Sequence, residues 1–101
     1  YIKHPETALI TKQQGYYNYL HGIILSQTNL TKAEKYFKKS LELGLAMDTD
    51  LAMANLSLSG IYMQKGRKRE ATLLLNKAKK LDTQGVLTGQ IKQMQQQMKR
   101  I

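Results

Sequence analysis

The chain has 101 residues, 42% hydrophobic and 23% charged, which is the amount and kind of sequence one globular domain needs and too apolar for a disordered tail. No cysteine is present, which removes disulfides, thiolate metal sites and a cysteine nucleophile together. The net charge of +9 is unevenly placed, with +1 on residues 1–64 and +8 on residues 65–101, an asymmetry that marks either a contact with nucleic acid or another acidic surface, or only a solvated face.

Residues 1–13 read as an N-terminal segment, either a short helix opened by His4-Pro5-Glu6 or a frayed end. Tyr16–Gln27 reads as a helix with Tyr16, Tyr17, Leu20, Ile23 and Ile24 on a broad apolar face. Thr31-Lys32-Ala33-Glu34 has the form of a capping box, opening a second helix through Ala33, Phe37, Ser40, Leu41 and Leu43 that Gly44 stops. After a connector at 45–50, Asp50 is placed to cap a third helix, Leu51–Gln64, which Lys65-Gly66 ends. A fourth runs from Lys68 to Leu81, with Ala71, Leu74, Leu75, Ala78 and Leu81 on one face. A fifth, within 84–101, carries Leu87, Ile91, Met94, Met98 and Ile101 on one side and Gln, Lys and Arg elsewhere. Proline occurs once, and no alternating β-branched run persists. The expectation is an all-α chain.

An offset of 38 residues lays Leu20 on Leu58, Gly22 on Gly60, Ile24 on Tyr62, Ala33 on Ala71, Phe37 on Leu75 and Leu43 on Leu81. Repeated helical hairpins are the mark of an α-solenoid. The pattern Asn55, Leu58, Ser59, Tyr62, then Gly66, Ala71, Leu75 and Ala78 resembles the tetratricopeptide repeat family, as does Tyr17, Leu20, His21, Ile24, then Ala33, Phe37 and Ser40. The likeness covers residues 14–82. It departs from the family in lacking the terminal proline (Leu45 and Thr83 stand there), in carrying His21 and Ser59 where a small residue belongs, and in a period longer than the family's roughly 34. The resemblance implies a superhelical solenoid of antiparallel helix-turn-helix hairpins: hairpin 1 at 14–44, hairpin 2 at 51–82, and a C-terminal amphipathic capping helix at 84–101. It also implies a concave groove, lined by the first helix of each hairpin, in which a partner peptide lies.

No reactive constellation is evident. His4 and His21 are the only histidines, and Asp48 with Asp50 lacks the glycine and glutamate that would complete a calcium loop. The expectation is therefore a non-enzymatic module with no metal and no cofactor. The third helix is apolar nearly all round, one stripe running Met53, Leu56, Gly60, Met63. With Gly15, Asn18, Gly22 and Leu25 at matching positions of the first helix, these residues are expected to floor a shallow groove for an apolar or helical ligand. The family's carboxylate clamp is disfavoured, because Asn18 is followed by Gly22, Met53 and Ser57 where basic and amide groups should stand.

Lys65, Arg67, Lys68 and Arg69 form a rival, electrostatic surface for nucleic acid or anionic membrane, but no aromatic residues interleave with them for base stacking. A solvated convex face is the favoured reading there, and nucleic acid is not the expected partner. The expected partner is a protein or peptide, or a second copy of the chain through residues 84–101; a regulatory array sensing a peptide is the alternative. No apolar run approaches the roughly 20 residues needed to cross a bilayer. The opening at Tyr1 reads as a piece of a larger protein. The compartment stays open, with a cytoplasmic module as the expectation and a membrane-anchored parent also compatible.

Overall fold

The computed structural model describes residues 5–100, and side chains over 10–100. It comprises five helices in chain order, α1 (Pro5–Leu25), α2 (Leu30–Leu43), α3 (Asp48–Gln64), α4 (Lys68–Leu81) and α5 (Thr88–Lys99), with no strand among the described residues. The chain is all-α. His4 and Ile101, both given roles by the sequence reading, lie outside the described residues. Two compact units divide the chain, Tyr1–Ala46 and Met47–Ile101.

In the first unit, α1 runs unbroken from Pro5 through the stretch expected to be a separate segment. Pro5 suits a first helical position, where no amide partner is needed. α2 packs antiparallel on α1, because Gly15 meets Gly44 and Ser40 at one end while Gly22 meets Phe37 nearer the turn. The expected capping box does not form. The helix starts two residues earlier, at Leu30, and Asn29 caps it by accepting the Lys32 amide at 3.1 Å. Glu34 instead pairs with Lys38 at 3.0 Å. Gly44 closes α2 as expected, with φ of 94° and its N–H donating to the Ser40 carbonyl. Ala33, Phe37 and Ser40 are fully enclosed, and the Ser40 hydroxyl donates to the Phe37 carbonyl.

In the second unit, α3 begins at Asp48 rather than beyond Asp50. The capping position belongs to Met47, which offers no side-chain bond, and both aspartates sit in the first turn where the helix dipole favours negative charge. α3 and α4 pair through the buried Ser59, whose hydroxyl donates to the Ala71 carbonyl at 2.6 Å. Gly66, at φ 79°, turns the chain between them, and the Arg67 amide reaches back to the Tyr62 carbonyl. α4 has the expected bounds and buries Ala71, Leu75 and Ala78. α5 packs on α3 and α4 through Ile91 and Met98, with Met94 half-buried, while Leu87, expected within the helix, is buried at its N-terminal cap.

The turn before α5 is held by the Asp82 carboxylate, which accepts the Leu87 amide at 2.8 Å. Asp82→Ala leaves that half-buried donor without its charged acceptor, a cost of about 1–2 kcal/mol. Amide exchange at Leu87 and Ile91 is expected to speed up by about tenfold, while Leu75 in α4 keeps its protection.

The burial patterns of the two hairpins can be laid over each other, but not at one offset. Second helices match at 38 residues: Ala33 with Ala71, Phe37 with Leu75 and Ser40 with Ala78 are all buried. First helices match at 37. Gly15, Tyr19 and Gly22 are the buried positions of α1 among the described side chains, and their counterparts Ala52, Leu56 and Ser59 are buried too. Asn18 and Asn55, also 37 apart, each donate from the side-chain amide to the carbonyl four residues back, at 2.7 and 2.8 Å. The offset of 38 expected for α1 is therefore wrong. Leu20 and Ile24 are 39% and 68% exposed, whereas Leu58 and Tyr62, their expected equivalents, are buried.

Candidate functional site

The inner face of α1 is made of small residues and one tyrosine. Gly22 lies under the Phe37 ring, Tyr19 sits edge-on to the same ring with centroids 6.2 Å apart, and Gly15 lies against the backbone of Gly44. Close approach of two helices needs such residues, since a Cβ at either glycine would occupy space already filled. The large apolar residues of α1 are thereby turned outward. Ile10, Tyr16, Tyr17, Leu20, Ile23 and Ile24 are all exposed, and their spacing places them along one side of the helix. Such a contiguous apolar stripe is the kind of surface that marks an interaction site.

The residues expected to floor a groove have different fates. Gly22 is enclosed by Phe37 and offers no open surface, and Gly15 is likewise buried. Asn18 and Leu25 are half-buried. In the second unit, Met53, Leu56 and Gly60 border a hollow of about 340 Å³ whose other wall is α5, through Gln90, Gln93 and Met94. A Cβ at Gly60 would come within 3.3 Å of the Met94 methyl, so α5 lies across this part of α3. Met63 is half-buried and not part of that hollow.

Lys65, Arg67, Lys68 and Arg69 are all exposed at the α3–α4 turn. The Arg67 guanidinium stands 5.7 Å over the Tyr62 ring and 3.9 Å from the Glu70 carboxylate, so it is partly committed to its own hairpin. Among the described residues no three His, Cys, Asp or Glu side chains gather as metal ligands, and no helix is long and apolar enough to cross a membrane.

A second basic surface went unnoticed in the sequence. On α2, Lys32, Lys35 and Lys39 line an open hollow of about 600 Å³ together with Tyr36, Asn18 and Glu42. Lys38 borders it while paired to Glu34. Aromatic rings lead away from it: Tyr36 stacks on His21 at 5.2 Å, and His21 takes Tyr17 edge-on at 4.4 Å. The available signal was the run Lys32, Lys35, Lys39 at i, i+3, i+7, hidden because residues 1–64 nearly balance in charge.

Comparison with protein-family models, with characterised proteins and with solved structures gives no match, so the site is read on its own geometry.

Proposed function

We propose that the chain is a non-catalytic helical-repeat module of the tetratricopeptide kind, whose hairpins stack as a solenoid and which holds a protein partner through α1. One observation carries the reading: α1 turns a row of large apolar side chains outward, and at two of those positions, 17 and 24, the residue 37 further on in α3 is buried. Tyr17 and Ile24 are 63% and 68% exposed, while Ala54 and Ile61, 37 residues on, are 0% and 3% exposed. Large apolar side chains left bare along one helix, two of them at positions buried in the other hairpin, make a surface suited to being covered. Burying Ile24 alone is worth about 1.5–3 kcal/mol. The matching Asn18 and Asn55 hydrogen bonds, and the buried Gly22 and Ser59 positions, support the kinship of the hairpins. The docking surface is accordingly assigned to Leu20, Ile23 and Ile24 rather than to the enclosed Gly22.

The test is photocrosslinking from a benzophenone amino acid in place of Ile24, with Leu73 on α4, also exposed, as the control position. It is run on the purified chain and in an extract of the source cells. A discrete protein adduct from position 24, absent from position 73 and abolished by Leu20→Ser with Ile23→Ser, is the expected result. Equal labelling from both positions, or none from position 24, overturns the reading. An adduct with a second copy of the chain makes that copy the partner.

A further inference from the structure

The lysine-lined hollow on α2 meets the condition that the Lys65–Arg69 cluster fails. Its cations stand beside a ring that lines the open hollow, whereas the Tyr62 ring under Arg67 is buried. Tyr36 lines the hollow with Lys32, Lys35 and Lys39, one face of its ring is covered by His21, and Tyr17 extends the aromatic series to a position 63% exposed. Surfaces for single-stranded nucleic acid combine these two elements: lysines that track phosphates and rings on which bases stack. One carboxylate, Glu42, borders the hollow, and Glu34 nearby is held by Lys38, so the field there is positive on a chain of net charge +9.

We propose that this face, Lys32, Lys35 and Lys39 with Tyr36 and Tyr17, binds single-stranded nucleic acid. The lysines neutralise backbone phosphates; the rings take bases. A polynucleotide is the occupant these residues fit, because it presents a phosphate and a flat base at every step, whereas an acidic peptide offers a ring only where it carries an aromatic residue. The surface shares Tyr17 with the outward row of α1 but takes in none of Leu20, Ile23 and Ile24, so changes at those three positions or at the lysines separate the two.

Fluorescence anisotropy on the full chain tests this with a single-stranded DNA of mixed sequence and about 16 nucleotides, its abasic counterpart, and a poly-glutamate of equal charge. The intact strand is expected to bind about tenfold or more tightly than either competitor, since base stacking adds to the electrostatic attraction. Lys32→Glu with Lys35→Glu and Lys39→Glu is expected to abolish binding. Lys35→Gln with Lys39→Gln, which carries less risk to the fold, should flatten the log K against log salt slope by more than about one, at roughly 0.7 per phosphate lost. Tyr36→Leu is expected to bring the intact strand down to the affinity of the abasic one. Ile24→Ser, which weakens the protein-docking stripe, leaves oligonucleotide affinity unchanged. Equal affinity for the abasic strand or for poly-glutamate overturns the proposal, as does binding that survives the lysine changes.

Discussion

Gly15→Ala is expected to undo the first hairpin. A Cβ at this position overlaps the carbonyl oxygen of Gly44 and stands 3.1 Å from its carbon and 3.4 Å from the Ser40 carbonyl oxygen. All three are backbone atoms, so no side chain can rotate out of the way. Gly44 itself is pinned: its φ of 94° and its N–H bond to Ser40 close α2, and a shift large enough to admit a methyl breaks both. Overpacking of this kind costs about 3 kcal/mol, occasionally more, against the roughly 1 kcal/mol that alanine returns in helix propensity. At about 0.05–0.15 kcal/mol per residue, a unit the size of Tyr1–Ala46 has only about 2–7 kcal/mol to lose. Thermal melts followed by circular dichroism should show the first unit's transition lowered by about 10 °C or more. Gly89→Ala in α5 meets nothing within 4 Å and is expected to move the other way, gaining up to about 1 kcal/mol. If Gly15→Ala melts like the parent, the close approach of α1 to α2 is wrong.

That glycine contact also marks where sequence reasoning ran out. α2, α4 and α5 were legible because their core faces are written in large or medium apolar residues at helical spacing: Phe37, Leu75, Ile91 and Met98 fall inside as expected. α1 inverts the rule. Its apolar stripe is the stronger periodic signal, so it reads as the core face, while Gly15 and Gly22 read as the open floor of a groove. Packing density decides otherwise, since two helix backbones come closest where no side chain intervenes. One residue fewer between the buried glycine and Ala33 than between Ser59 and Ala71 then suffices to displace every assignment in the helix. The charged surfaces failed for a related reason. A sum over 64 residues cancels, whereas the potential at Lys35 depends only on charges within about a Debye length.

The pairing of Gly22 with Phe37 gives the second large expected effect, and it is a coupling rather than a single loss. A Cβ at Gly22 comes within 2.9–3.0 Å of the Phe37 ring, a side chain this time, in a position that is fully enclosed. The second hairpin makes the opposite choice at the matching positions, with Ser59 opposite the α4 backbone and Leu75 in the aromatic's place. A large ring therefore goes with no side chain, and a smaller branched residue goes with a serine. Gly22→Ser alone is expected to cost about 2–3 kcal/mol by overpacking. Phe37→Leu alone is expected to cost about 1–2 kcal/mol through lost volume. Were the two independent, the double variant would lose the sum. Instead the space vacated by the ring admits the serine, whose hydroxyl gains a carbonyl within reach at Ala33, as Ser59 has at Ala71. The double variant is expected to be at least as stable as Gly22→Ser, a coupling of about 1–2 kcal/mol in a urea-denaturation double-mutant cycle. Strict additivity would mean that the two hairpins do not share one packing rule, and the kinship on which a stacked-repeat reading rests would lose its support.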